Sequence, residues 1–193
     1  MIINMPDCLD KKAHQRRLGI AARKKLDLQT AVEFSRLISE KLIASEYGKA
    51  GAILSYQSFG AEVDLSYFHN WAVSGKKQLA FPLCLEAGKM IALVPNGDDA
   101  WETGKYGIKT PIERLSTRLE PAEIDLIIVP CTAFHGATKM RCGMGAGYYD
   151  RYLPLCKNAV KIAVAFEVQQ IDDLCIDDWD VPLDHIITER NWY

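Results

Sequence analysis

Apolar positions recur along this chain with two periods. Between residues 28 and 45, Phe34, Leu37, Ile38 and Leu42 keep the i, i+3, i+4 spacing of a helix that lays one face on a sheet. Short, nearly continuous apolar runs mark buried strands at 50–56, 77–82, 89–94, 125–130 and 160–166. Two further helices are predicted over 64–74 and 148–155, the second closed by Pro154. The polar stretch 7–25 reads as a basic helix with Pro6 and Asp7 as start signals. On a 3.6-residue helix Lys12, Arg16 and Arg23 share a narrow sector, while Leu18, Ala21 and Ala22 point elsewhere. That sector is either a solvated face or a clamp for an anion. Strands alternating with helices predict an α/β fold, with a central, mostly parallel sheet and helices on both faces.

Length and composition narrow this picture. The 193 residues suit one domain, 1–193, and no internal repeat or linker divides them. A net charge of −2 argues against a nucleic-acid partner, which needs a strongly basic face. No apolar run approaches the roughly 20 residues of a membrane helix, and residues 1–12 lack the pattern of a signal peptide. A cytoplasmic protein without a membrane partner is expected, as a monomer or weak dimer. Cys8, Cys84, Cys131, Cys142, Cys156 and Cys175 include no C-x-x-C pair, which argues against zinc. In a reducing compartment they are expected to be free thiols rather than a disulfide framework.

The candidate chemistry sits in Met140-Arg141-Cys142-Gly143-Met144-Gly145-Ala146-Gly147-Tyr148-Tyr149-Asp150-Arg151. Alternating glycines leave backbone N–H groups open to close approach by a ligand, and such a run forms an anion site. Arg141 and Arg151 flank it with guanidinium forks suited to phosphate. Asp150 adds a hard oxygen ligand for Mg²⁺. Cys142 as a nucleophile lacks an activating partner nearby in sequence. An ordinary tight turn before a helix is the plain alternative.

Gly143 to Arg151 resembles the G-x-G-G-G-Y-Y-D-R signature of the 5-formyltetrahydrofolate cyclo-ligases, also called methenyltetrahydrofolate synthetases; Ala146 replaces the usual middle glycine. Lys12-Ala13-His14-Gln15-Arg16 with Arg23 is similar to the family's opening K-x-x-L-R and later arginine, with Gln15 in place of leucine. Ser58-Phe59-Gly60-Ala61-Glu62 matches its S-F-x-x-E stretch, with Leu65 replacing the usual threonine. Tyr106-Gly107-Ile108-Lys109-Thr110-Pro111 matches its aromatic-x-Ile-x-x-Pro segment, and Asp180 to Glu189 its closing D-x-P-x-D-x-x-x-T-E.

The resemblance implies a three-layer α/β/α fold and ATP- and Mg²⁺-dependent conversion of 5-formyltetrahydrofolate to 5,10-methenyltetrahydrofolate, with ADP and phosphate released. It implies ATP contacts at Lys12, Arg16, Arg141, Cys142, Gly143, Met144, Gly145, Ala146, Gly147, Tyr148 and Tyr149. Arg141 and Tyr149 become catalytic candidates. Glu62, Phe59, Tyr106 and Tyr148 become contacts to the reduced folate, and Asp150 and Asp180 metal ligands. For Glu62 the residue-level alternative is an acidic charge in the first turn of the following helix; for Tyr106 it is a packed loop tyrosine. Another nucleotide-dependent kinase or ligase, or a non-catalytic binding module, remains open. The P-loop pattern is absent from the sequence, which disfavours a P-loop ATPase.

Overall fold

The run Leu126–Pro130 feeds two cores at once. Leu126 and Ile128 face one, Ile127 and Val129 the other, as the period of two requires. The structure, a computed structural model, describes residues 8–193. Pro6 and Asp7, the start signals of the first helix, lie outside the described residues.

In chain order the elements begin with α1 (Cys8–Lys24), α2 (Leu28–Ala44), β1 (Ala52–Leu54), α3 (Ser66–Ser74), β2 (Gln78–Cys84) and β3 (Met90–Pro95). There follow β4 (Trp101–Thr103), β5 (Lys109–Pro111), β6 (Ser116–Leu119), β7 (Leu126–Pro130), β8 (Ala133–His135) and β9 (Met140–Cys142). The chain closes with α4 (Tyr148–Tyr152), β10 (Val160–Val164) and β11 (His185–Ile187). The main sheet has the order β11-β10-β7-β1-β2-β3-β6. Neighbours from β11 through β2 run parallel, and β3 and β6 add antiparallel pairings at one edge. The expected mostly parallel α/β sheet is therefore observed. Two small hairpins, β4–β5 and β8–β9, stand apart from it.

On one face Ile38 and Leu42 of α2 and Phe68 and Ala72 of α3 pack with Ile53, Leu126, Ile128 and Ile162. Asp27 starts α2 by accepting from Thr30 N–H at 2.9 Å, which satisfies one of the donors a helix start leaves open. On the other face Tyr152, Leu153 and Cys156 cover Leu54, Ile127, Val129 and Ala163. The helix expected over 148–155 is five α-helical residues followed by a 3₁₀ turn, Leu153–Leu155.

Helix α1 obeys neither period, because the face it buries is polar: Gln15, Gly19 and Arg23. It is docked by hydrogen bonds instead of apolar area. Gln15 accepts from Cys175 N–H at 3.0 Å and donates to the Asp173 carbonyl. Arg23 donates to the Cys131 carbonyl at 3.2 Å. Gly19 passes so close to Thr132 that a β-carbon there would lie 2.0 Å from its carbonyl oxygen. The thiols do not all stay free, contrary to the sequence expectation. Cys8, at the start of α1, is bonded to Cys175, with Cα atoms 6.0 Å apart. A separation of 167 residues hides that pairing from any spacing argument; the docking of α1 creates it. Cys84, Cys131, Cys142 and Cys156 are free.

Candidate active site

A cavity of about 740 Å³ opens at the carboxyl ends of the parallel strands, between α1, the glycine loop and the loop that carries Asp177 and Asp180. Strand β9 of the β8–β9 hairpin delivers Arg141 and Cys142 directly into the loop. Gly145 has φ +99° and Gly147 φ +65°, conformations that side-chain-bearing residues rarely adopt. These two positions turn the chain sharply between β9 and α4. Arg16 braces the loop, its Nε donating to the Gly143 carbonyl at 2.8 Å. Residues 143–147 all line the cavity.

The charged groups are pre-paired. Arg141 is 8% exposed; its Nη2 donates to Asp150 Oδ1 at 2.9 Å and its Nη1 to the Val181 carbonyl at 2.9 Å. Lys12 Nζ contacts Asp177 Oδ2 at 2.6 Å and also Asp180 Oδ2. Burial is the largest influence on the Lys12 ammonium and acts downward, yet hydrogen bonds and charge attraction from the two aspartates carry its pKa above the ordinary lysine value. Lys12 is thus firmly cationic where an anion would approach. Arg151 donates Nε to the Gly88 carbonyl at 3.0 Å and lies over the Tyr148 ring, 5.9 Å from its centroid.

Two tyrosines and a glutamate add to the lining. Tyr149 presents a buried hydroxyl with no hydrogen-bond partner among the described residues. Burial pushes its pKa up, so it keeps its proton. Tyr148 donates to the Leu85 carbonyl at 3.3 Å. Glu62 lines the same cavity. Its Oε2 accepts from Phe59 N–H at 3.0 Å and its Oε1 lies 3.4 Å from Arg23 Nη2. Burial raises its pKa, against the lowering effects of the Phe59 amide and Arg23. Glu62 does not serve as an early-turn charge, since α3 begins only at Ser66.

The cavity therefore gathers Lys12, Arg16, Glu62, Arg141, Tyr148, Tyr149, Asp150 and Asp180 from across the chain. Phe59 and Tyr106 are brought together, with ring centroids 6.0 Å apart, but neither lines the cavity. Tyr106 is 82% exposed and sits at φ 62°, so it is no packed loop tyrosine. The Cys142 thiol faces the Lys12 and Gly143 carbonyls, both at 3.7 Å, with no base beside it among the described residues. Asp177 and Trp179 also line the cavity. No motif in the sequence singles out either residue; the fold brings them to the cavity with the loop that carries Asp180.

The carboxylates can accommodate a hard cation. Asp150 engages Arg141 through Oδ1 and Asp180 engages Lys12 through Oδ2, which leaves the second oxygen of each. Among the described residues no group of three or more His, Cys, Asp or Glu side chains forms a metal cage. Mg²⁺ uses only one or two carboxylates and lets phosphate oxygens and water complete its shell.

A sequence model of the 5-formyltetrahydrofolate cyclo-ligase family matches residues 9–189. The chain belongs to that family. A cyclo-ligase relative from Mycoplasma pneumoniae is 40% identical over 80 residues, covering 41% of this chain and 48% of that protein. This chain thus spans about half the length of that relative in the matched stretch. A Caenorhabditis elegans relative, named a probable 5-formyltetrahydrofolate cyclo-ligase, is 28% identical over 185 residues, 89% of this chain and 87% of its own length. The NMR structure of Aquifex aeolicus 5,10-methenyltetrahydrofolate synthetase superposes with TM-score 0.81 at 29% identity, over 94% of this chain and 91% of that one. The shared fold thus extends over 94% of this chain. No helix among the described residues is long and apolar enough to cross a membrane.

Proposed function

We propose that this protein catalyses the ATP- and Mg²⁺-dependent conversion of 5-formyltetrahydrofolate to 5,10-methenyltetrahydrofolate, releasing ADP and phosphate. The observation that carries the reading is a single cavity lined both by a cationic glycine loop and by a largely buried carboxylate, Glu62. The loop suits polyphosphate and the carboxylate a hydrogen-bond-donating ring.

The chemical problem is a formamide oxygen that leaves poorly. Transfer of the γ-phosphoryl group onto that oxygen forms a P–O bond and breaks the bond to ADP. The folate N10 then attacks the activated carbon and gives up its proton to solvent, and phosphate departs with the oxygen. Such transfer asks a protein mainly for positioning and charge neutralisation. Lys12 and Arg16 of α1, the amides of residues 143–147 and Arg141 would hold the phosphates. Arg141 would offset charge on the moving group, and the protonated Tyr149 hydroxyl would donate to an oxygen that gains charge. A bound Mg²⁺ supplies further neutralisation on the phosphate oxygens, and Asp150 and Asp180 are the residues that would hold it. When Lys12 turns to phosphate, its two aspartates are released, so nucleotide and cation favour each other's binding. Glu62 would accept N–H donors of the reduced pterin, and Tyr148 would border that ring.

Following methenyltetrahydrofolate absorbance in a mixture of protein, 5-formyltetrahydrofolate and Mg²⁺ tests the reading. A rise that requires ATP and yields stoichiometric ADP supports it. ADP formation without the absorbance rise would assign the site to another phosphoryl acceptor.

A further inference from the structure

Lys12, Arg16, Gly19 and Arg23 follow one another at spacings of four, three and four along α1, so they form one stripe. The first two line the cavity. Gly19 presses against Thr132. Arg23, 5% exposed, reaches past the end of β7, donating Nη1 to the Cys131 carbonyl and placing Nη2 3.4 Å from Glu62 Oε1. Its Nε is buried with no partner among the described residues. A buried ion pair is a poor source of stability, because taking both charges out of water offsets their attraction. Glu62 also borders the cavity, so the pair invites a role in binding.

The surroundings of Glu62 single out Arg23. Tyr56 beyond β1, Cys131 beyond β7 and Tyr149 on α4 all lie within its electrostatic reach. Burial pushes the Cys131 thiol up to about 12 and raises both tyrosines, so these groups are neutral. Arg23 is the cation that opposes the burial penalty on the Glu62 carboxylate. With Oε1 drawn by Arg23 and Oε2 held by the Phe59 amide, both oxygens have fixed positions.

We propose that Arg23 is a positioning residue for the folate, holding the Glu62 carboxylate ionised and fixed so that it accepts the paired N–H groups of the reduced pterin. The proposal rests on the reading that Glu62 binds the folate. It makes α1 a single rod that serves both substrates, nucleotide through Lys12 and Arg16 and folate through Arg23.

Affinity for 5-formyltetrahydrofolate, measured across pH without nucleotide, tests it in wild type, Arg23→Met, Arg23→Lys, Glu62→Gln and the double variant Arg23→Met/Glu62→Gln. Affinity should fall as pH drops and Glu62 takes up a proton. Arg23→Met should move that acid limb upward by about one pH unit or more, the effect of deleting an adjacent opposite charge. Arg23→Lys should return the limb towards wild type, while binding stays weaker because a point charge replaces a planar fork. In the Glu62→Gln background Arg23→Met should add little, and ATP affinity should hold throughout as a check on the fold. An unmoved limb in Arg23→Met, or a loss that adds in full to that of Glu62→Gln, would overturn the proposal and leave Glu62's role intact. Wild-type folate affinity in Glu62→Gln would overturn both together. Should Arg23→Met not fold, Arg23→Lys and the double variant Arg23→Lys/Glu62→Gln decide, since the lysine must weaken binding no further once Glu62 is glutamine.

Discussion

Arg141 Nη2 and Asp150 Oδ1 lie 2.9 Å apart on the cavity wall, an ion pair whose guanidinium is nearly buried and whose carboxylate is partly open. Asp150 is thus shared between the arginine and the space where phosphate and cation would sit. Asp150→Asn keeps the shape and a carbonyl oxygen but removes the charge. Turnover should fall strongly and the Mg²⁺ concentration for half-maximal rate should rise, with the fold intact by circular dichroism. A Mg²⁺ titration of initial rates checks this. An unchanged half-saturation point would confine Asp150 to fixing Arg141.

Lys12 and Arg16 differ in what they leave behind. Removing Arg16 deletes a cation and a brace on the Gly143 carbonyl. Removing Lys12 deletes a cation and also exposes the unpaired carboxylates of Asp177 and Asp180 to the incoming polyphosphate. Each charge-assisted contact is worth about 1.5–3 kcal/mol, so either alanine variant should raise the KM for ATP on the order of tenfold or more. Lys12→Ala should be the more costly, and the KM for folate should move less than that for ATP in both. Steady-state kinetics with each substrate varied in turn decides the point.

Gly145 combines two demands. Its φ is +99°, and a β-carbon there would lie 3.0 Å from Arg16 Nη2. Gly145→Val adds a β-branched side chain that disfavours this backbone and crowds the anion space. ATP binding should be lost while the distant sheet still folds. Calorimetric titration of a folded Gly145→Val protein with ATP checks it, and wild-type affinity would remove the loop from the nucleotide site.

The strand pattern carried the fold because β1, β7 and β10 alternate between two cores, and that alternation survives in the sequence as apolar runs. The α1 stripe was legible as a sector but not as buried, since nothing in a polar helix shows that Gln15, Gly19 and Arg23 face inward. Only the docked neighbours, Thr132 and Cys175 among them, reveal it. The Cys8–Cys175 bond was hidden for the same reason. Strands β4, β5, β8 and β9 have three residues each and lie outside the main sheet, so no buried apolar run like that around β1 marks them. The glycine loop was legible because its backbone requirement is written directly as glycine. The pairing of Asp180 with Lys12 was not, because it joins the two ends of the chain.

His69 gives the fold a pH dependence of its own. Its Nε2 pairs with the Ser55 hydroxyl at 2.8 Å, and burial lowers its pKa from 6.5 to about 4. Below pH 6.5 the unfolded chain therefore binds a proton that the folded one refuses until about pH 4. The unfolded state gains from this as pH falls, so stability drops through that window, by up to about 3 kcal/mol from this one group. His69→Gln cannot titrate there. Denaturant unfolding at several pH values should show a shallower decline for His69→Gln than for wild type between pH 6.5 and 4. Parallel declines would mean that the imidazole is not held neutral.

Gly19 is the position where two opposing effects can be ranked. In an open helix Gly→Ala favours folding by roughly 1 kcal/mol, because alanine has the better helix propensity. Here the new methyl would lie 2.0 Å from the Thr132 carbonyl oxygen and 3.0 Å from the Ala133 β-carbon. The nearest atom is backbone at the edge of β8 and cannot swing aside, so the helix itself must move. Overpacking of this kind costs about 1–3 kcal/mol and should outweigh the propensity gain. The displacement is also functional. The Cys8–Cys175 bond pins the start of α1 and the Lys12 ion pairs hold its first turns, so a shift at Gly19 is felt most by Arg23 and, through it, by Glu62. Gly19→Ala should therefore lower the denaturation midpoint and raise the KM for folate more than the KM for ATP. Equal rises in both constants would mean that α1 moves as a whole despite its pinned end. A stabilised variant with wild-type kinetics would show that the contact with Thr132 gives way without cost and that the close approach is not what fixes the helix.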